Sequence, residues 1–111
     1  ALGYLPLDVA ETAEAYILSA ELPGVTMDAV AVNVEDNVIT ITGNKPAPED
    51  TENVRYHRIE RPYGSFQRSL ALPRNVDPDQ VSAKYEAGVL TITVGKREEA
   101  KPKRIEIQAG S

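Results

Sequence analysis

The fold is decided by the stretch Ala83-Lys84-Tyr85-Glu86-Ala87-Gly88-Val89-Leu90-Thr91-Ile92-Thr93-Val94. Gly-Val-Leu within it is typical of a turn that opens a strand, and the alternate residues that follow are branched and apolar. A second apolar pattern, Ile105-Glu106-Ile107, lies in a polar tail where no core remains to receive it. Together the two patterns indicate a β-sandwich that captures β-strands, its own tail or that of another chain, rather than an enzyme.

Most other apolar segments also have a period of two, as strands with one buried face do. Val30, Val32 and Val34 alternate with other residues and share a face, and Asp36-Asn37 is a tight-turn signal at hairpin distance. Strands are predicted at residues 15–22, 30–35, 38–42, 65–72 and 89–94. Many short β-branched strands between turns predict an all-β sandwich or barrel.

Composition sets limits on the class of protein. A chain of 111 residues is one domain, and its net charge of -5 argues against nucleic acid as a partner. It has no cysteine, which excludes disulfides and thiolate metal sites and fits a reducing compartment. No apolar run is long enough for a membrane span and no signal peptide is visible, so a cytoplasmic location is expected.

Two segments are ambiguous. Asp77-Pro78-Asp79-Gln80 has the composition of a helix start, and propensity would carry a helix over residues 78–87. The alternative is one helical turn followed by a strand in which Val81, Ala83 and Tyr85 share a face. Local sequence does not decide between them; the resemblance described below favours the strand.

The second ambiguous segment is the long connection between Gly43 and Gly64. It begins acidic and flexible, and then residues 54–59 have the composition of a strand. A strand on a long connection can pair with the sheet edge of a neighbouring molecule. Exchange of this strand between two copies is one interpretation, and an ordinary ordered loop is the other.

Catalytic, metal and cofactor motifs are not found. His57 is the only histidine and is expected at a surface strand position rather than as a general base. Gly95-Lys96 resembles part of a phosphate loop, but Leu90 and Arg97 stand where Gly and Ser or Thr belong. The carboxylates lie in predicted turns and lack EF-hand spacing. The sequence therefore predicts no enzyme, no cofactor and no metal site.

The tail has two parts. Residues 96–104 are mostly charged and are expected to form a solvated linker. Burial of Ile105 and Ile107 would contribute roughly 3–6 kcal/mol, offset by about 1–2 kcal/mol for each residue ordered. A weak, reversible contact with two pockets at an edge strand is predicted. The alternative is that both isoleucines end a last strand of the same domain.

Four motifs in order resemble those of the small heat-shock proteins. They are Ala20-Glu21-Leu22-Pro23-Gly24-Val25, then Glu60-Arg61 with Tyr63-Gly64-Ser65-Phe66-Gln67-Arg68 and Leu72-Pro73, then Ala83 through Leu90, and last Ile105-Glu106-Ile107. The resemblance covers nearly the whole chain. It implies an immunoglobulin-like α-crystallin domain at residues 1–95 and a flexible extension at residues 96–111.

The resemblance also implies a function and a set of site residues. The family consists of ATP-independent holdases that bind partly unfolded client proteins and assemble from homodimers into larger oligomers. The tail motif would dock in a groove between two edge strands, lined here by Val30, Val32 and Val34 opposite Val81, Ala83 and Tyr85. The exchanged strand in the long loop would bring Val54, Tyr56, Arg58 and Ile59 to the dimer interface. Arg68 matches the family's central interface arginine, with a plain surface ion pair as the alternative.

One departure from the family pattern bears on activity. Only residues 1–5 could remain of the Phe-rich N-terminal arm that the family uses to bind clients, so dimers or small assemblies and weaker holdase activity are expected. A co-chaperone adaptor of the CS type is the main competing hypothesis, but it would lack the Gly-Val-Leu and Ile-x-Ile signatures. A carbohydrate-binding module usually needs exposed aromatics, and the chain has no Trp.

Overall fold

The computed structural model describes residues 4–110, in which seven strands form two antiparallel sheets. The strands are β1 (Asp8–Glu11), β2 (Ala15–Glu21), β3 (Val30–Glu35), β4 (Val38–Lys45), β5 (Gly64–Ala71), β6 (Val76–Glu86) and β7 (Val89–Lys96). Single turns of 3-10 helix lie at Met27–Ala29 and Glu98–Ala100. The regular secondary structure of the described chain is therefore almost entirely β.

The order of the strands defines which edges are free. The larger sheet has the order β1-β2-β7-β6, and the smaller sheet has the order β3-β4-β5. Every neighbouring pair is antiparallel. Strands β1 and β6 are consequently the edges of one sheet, and β3 and β5 are the edges of the other. Edge strands carry unpaired backbone groups that another strand can use.

The core lies between the two sheets because each central strand alternates buried and more open residues. In β4 the inward residues are Ile39 and Ile41, and in β7 they are Leu90, Ile92 and Val94. These side chains from both sheets belong to one buried cluster. The other members of that cluster are Leu5, Leu18, Ala20, Leu22, Val25, Phe66, Leu72 and Val76. The two sheets thus form a sandwich around a mostly aliphatic core.

Two hairpin turns depend on left-handed backbone. Asp36 and Asn37 have φ angles of 51° and 65°, and Ala87 and Gly88 have φ angles of 53° and 78°. Two successive positive φ values are the geometry of the two-residue hairpin turn that matches strand twist. The Asn37 side-chain nitrogen also donates to the carbonyl of Leu72 at 2.9 Å, which ties this turn to the end of β5.

The structure confirms the predicted antiparallel sandwich. All of the strands predicted from the period of two are present, with ends shifted by at most a few residues. Strand β1 was not predicted, because its four residues are all exposed and give no apolar alternation.

The helix considered for residues 78–87 is wrong, and so is the single helical turn before the strand. Strand β6 runs through this segment as far as Glu86, with an irregular register between Val76 and Val81, and Ala87 lies in the following turn. The backbone N–H of Asp79 donates to Oδ1 of Asp77 at 3.0 Å. Asp77 therefore acts as a local turn former within the bulge instead of as a helix cap.

The predicted strand at residues 54–59 is not formed within the described chain. An isolated bridge between Thr51 and Val54 is the only β pairing of the loop between β4 and β5 in residues 4–110. The backbone N–H of Tyr56 donates to the Asp50 side chain at 3.0 Å instead of to a strand. Val54, Tyr56 and Ile59 remain about half exposed. A strand needs a neighbour for its hydrogen bonds, and this segment has none in its own chain.

Candidate functional site

Strand β3 presents a half-buried row of valines at a free sheet edge. Val30, Val32 and Val34 are partly buried and pack against the core, whereas the residues between them are exposed. Strand β4 pairs with one edge of β3, and the other edge of β3 has no neighbouring strand in the sheet. The predicted inward face of this strand is therefore correct, and the row is only partly covered.

Strand β6 presents the matching edge of the other sheet. Val81 and Tyr85 are partly buried against the same core as the β3 valines. Ala83 is directly paired with Ile92, which is buried, so both side chains point to the inner face of the sheet. Ala83 is nevertheless exposed. The inner face of β6 is thus open at its middle, between two larger side chains.

Tyr85 also has a role that the sequence did not reveal. Its hydroxyl lies 2.5 Å from the carbonyl oxygen of Leu22 and 2.7 Å from that of Val25. The hydroxyl hydrogen is therefore shared between two carbonyls of the turn that follows β2. The alternation of residues predicted the face on which Tyr85 lies, but the bond to a residue 63 positions away has no local signal.

The tail isoleucines do not pack on their own domain. Ile105 is 84% exposed and Ile107 is 96% exposed. The radius of gyration is 20.0 Å, against about 13 Å for a compact domain of this length. No strand follows Lys96 in the described residues, so the alternative in which both isoleucines end a last strand of the domain is not observed. The Ile-x-Ile motif projects away from the sandwich.

Arg68 lies on β5 and makes its polar contacts within its own chain. Its Nη1 donates to the carbonyl of Leu5 at 2.8 Å, and its guanidinium lies 4.7 Å from the ring centre of Tyr4. Among residues 4–110 no carboxylate pairs with Arg68, so the surface ion pair considered as an alternative is not observed. Arg58, in the loop, pairs with Glu60 at 3.5 Å. The dimer-interface assignment of both arginines stays a prediction.

A charged cluster at the end of β7 was missed by the sequence analysis. Lys96 is 8% exposed, and its Nζ lies 2.6 Å from Oε2 of Glu11 and 5.2 Å from the ring centre of Tyr16. The hydrogen bond from Lys96 lowers the pKa of the Glu11 carboxyl, and the nearby Lys96 charge adds to the effect. Lys96 therefore stabilises the junction of sandwich and tail. The expectation of a solvated linker from residue 96 onward is therefore wrong for Lys96, because a lysine that begins a charged run carries no sequence signal for burial.

Within residues 4–110 no group of three or more His, Asp or Glu side chains is arranged to hold a metal ion. His57 is exposed, in the loop instead of on the predicted strand. No helix in the same part of the chain is long and apolar enough to cross a membrane.

The described residues form an all-β sandwich with two half-covered sheet edges and a projecting Ile-x-Ile tail. Residues 8–108 match the profile of the Hsp20/alpha crystallin family. The chain therefore belongs to the Hsp20/alpha crystallin family.

Individual relatives agree with this assignment. The chain is 41% identical over 101 residues to small heat shock protein C2 of Rickettsia felis, covering 91% of this chain and 66% of the relative. It is 46% identical over 98 residues to the 17.8 kDa class I heat shock protein of Arabidopsis thaliana, covering 87% and 62%. The chain thus spans less than two thirds of the length of these relatives.

A solved structure gives the same result for the fold. The crystal structure of a small heat-shock protein from Xylella fastidiosa superposes with a TM-score of 0.80 at 32% identity. The superposition covers 98% of this chain and 100% of that chain.

Proposed function

We propose that this chain is an ATP-independent holdase chaperone that binds partly unfolded proteins and prevents their aggregation. The observation that carries the proposal is the combination of open apolar edges with an exposed apolar tail in a member of the Hsp20/alpha crystallin family. Exposed strand edges with apolar pockets suit extended segments of unfolded chains, which supply both backbone hydrogen bonds and alternate side chains. No catalytic role is proposed.

The groove is proposed to lie between the β3 and β6 edges. Its lining would be Val30, Val32 and Val34 on one side, and Val81, Ala83 and Tyr85 on the other. Side chains of both strands pack against the same core, and each strand has one free edge. These two observations support placing β3 and β6 on the two sides of one groove. The open position at Ala83 would receive one isoleucine side chain. The occupant is the tail motif of a second copy or an extended client segment.

Self-association through the long loop is the second part of the proposal. The segment 54–59 would pair with a free strand edge of a second copy, placing Val54, Tyr56, Arg58 and Ile59 at a homodimer interface with Arg68. The support is that these apolar residues are half exposed and lack a strand partner in their own chain. The proposed division of the chain is a domain at residues 1–95 and an extension at residues 96–111, and the proposed location is the cytoplasm.

The experiment that tests the function is light scattering from a heat-labile client, with this protein near equimolar and no nucleotide. We expect suppressed scattering from the natural sequence and a several-fold weaker effect from the double variant I105A/I107A. The matched control is R104A/E106A, which changes the residue before the motif and the residue between its two isoleucines and leaves the net charge unchanged. Undiminished scattering with the natural sequence would contradict the holdase proposal for this chain.

A further inference from the structure

Edge strands of the two sheets are bridged at two sides of the sandwich. On the β3–β6 side, the hydroxyl of Tyr85 on β6 hydrogen-bonds to carbonyls of the turn that leads toward β3. On the β1–β5 side, Arg68 of β5 donates to the carbonyl of Leu5, in the segment that leads into β1. Each side is thus bridged by one polar side chain of an edge strand, and the β1–β5 side has so far been given no role in docking.

Residues 4–7, which we name the strap, cover the β1–β5 side. Leu5 is 3% exposed and belongs to the buried core cluster, and Leu7 is partly buried against the same cluster. Tyr4 and Pro6, which alternate with them, are exposed. The strap belongs to no strand, because β1 begins at Asp8. Burial of alternate side chains therefore holds the strap in place without the backbone ladder that holds a strand.

The strap has the same apolar spacing as the tail motif. Leu5-Pro6-Leu7 and Ile105-Glu106-Ile107 each place two branched apolar side chains two residues apart, the spacing of one face of an extended segment. The leucines pack against the core of their own domain, and the isoleucines are exposed. The strap is therefore the kind of segment that the proposed β3–β6 groove would receive, already seated on another side of the sandwich.

Arg68 reaches the strap from the inner face of β5. It is directly paired with Ile41, which is buried, so both side chains point to the inner face of the sheet. Its Nη1 donates to the carbonyl of Leu5 at 2.8 Å, and its guanidinium carbon lies 4.7 Å from the ring centre of Tyr4. One arginine thus holds the strap by a charge-assisted hydrogen bond and a cation–π contact.

We propose that the strap is an autoinhibitory occupant of a second apolar groove between β1 and β5, and that Arg68 is the positioning residue that keeps it seated. Because the strap belongs to the same chain, it competes with any free segment at a high effective concentration. Loosening the strap exposes the inner face of β5 to another extended segment with two apolar side chains. The natural sequence thus offers one groove for docking, and loss of the Arg68 contacts offers two. The choice of the tail motif as ligand rests on the proposed tail-in-groove contact.

The first test measures whether the strap opens without unfolding of the sandwich. The chain has no cysteine, so Leu5→Cys and Val94→Cys each introduce a single buried thiol, and labelling by a chromogenic disulfide reagent reports its exposure. Leu5→Cys is expected to label at least about tenfold faster than Val94→Cys and with little dependence on urea, as local opening does. Equal rates with equal urea dependence would mean that only global unfolding frees Leu5, which would overturn the strap.

The role of Arg68 is measured in the Leu5→Cys background. Arg68→Met keeps the aliphatic length and removes both polar contacts, so labelling is expected to become about ten- to hundredfold faster. Tyr4→Ala removes only the cation–π contact and is expected to speed labelling about two- to fivefold. Arg74→Met is the matched control, because Arg74 is exposed and forms no ion pair within residues 4–110. An unchanged rate in Arg68→Met would overturn the positioning role.

The second groove is tested with a labelled synthetic peptide of residues 102–110, whose binding to diluted protein is followed by fluorescence anisotropy. Ala83→Asp places a carboxylate in the proposed β3–β6 groove and is expected to bind the peptide at least about tenfold more weakly than the natural sequence. Adding Arg68→Met to Ala83→Asp is expected to restore binding, whereas adding Arg74→Met is not. A merely structural role for Arg68 would not restore binding, and a lack of recovery would overturn the second groove. Absence of peptide binding to the natural sequence would instead overturn the proposed tail-in-groove contact, and the labelling rates would still decide whether the strap opens.

Discussion

The same pattern, isoleucine-x-isoleucine, occurs twice in this chain with opposite outcomes. Ile39 and Ile41 of β4 are each 1% exposed, whereas Ile105 and Ile107 of the tail are almost fully exposed. Both pairs have the spacing of one face of a strand. The difference is that β4 lies between β3 and β5, and the tail has no neighbour in its own chain. The alternation specifies a face, and the neighbouring strands decide whether that face is buried.

This comparison separates isoleucines that hold the fold from isoleucines available for binding. The β4 pair is buried by its own chain during folding and contributes to stability. The tail pair is left exposed by its own chain, and its proposed role is docking in the groove.

The largest expected effect is on the stability of the sandwich. Ile41→Ala is expected to lower the free energy of unfolding by about 2–5 kcal/mol, because it removes a fully buried side chain and leaves a cavity. Ile107→Ala is expected to change it by less than about 0.5 kcal/mol. Urea unfolding at low protein concentration, where assembly contributes nothing, measures both. Similar losses in the two variants would mean that the tail packs on its own domain.

The second prediction concerns the open position on the inner face of β6. Ala83→Asp is expected to weaken binding of the 102–110 peptide at least about tenfold, because a carboxylate would be buried against an isoleucine. The sandwich itself should stay folded, since Ala83 is exposed in the unbound chain. Anisotropy titration gives the affinity, and urea unfolding checks the fold.

Ser82→Asp is the matched control for this position. Ser82 is the exposed neighbour on β6 and points to the opposite face of the sheet. It receives the same charge without entering the proposed groove. Equal affinities for the two variants would show that the groove lies elsewhere, for example because the inward and outward faces of β6 were assigned in the wrong register.

Sequence reasoning found the parts of this fold that local alternation encodes. The valines of β3 and the isoleucines of β4 and β7 alternate with less buried residues, so their strands and faces were predictable. Strand β1 was not predictable, because its four exposed residues gain their order from pairing with β2.

The missed contacts share one physical cause. Tyr85 with Leu22, and Lys96 with Glu11, are pairs separated by 63 and 85 residues. Only the folded topology brings such residues together, and neither pair leaves a local pattern. The segment 54–59 shows a related limit of local pattern, since strand composition does not supply a partner strand, and its pairing with a second copy stays a prediction.

The smallest expected effect is a pH dependence at the junction of sandwich and tail. The hydrogen bond from Lys96 lowers the pKa of Glu11 below its ordinary value of 4.5, so the folded state binds this proton less readily than the unfolded state. The resulting stabilisation is fully present above pH 4.5 and is lost as pH falls through the lower pKa of the folded state. Glu11→Gln should therefore be less stable than the natural sequence at neutral pH, and the difference should shrink with acidification below about pH 4.5. Urea unfolding midpoints across this range measure the effect, with Glu106→Gln in the exposed tail as the control of equal charge change. A difference between Glu11→Gln and the natural sequence that stays constant down to pH 3 would show that the Lys96 contact does not stabilise the charged carboxylate.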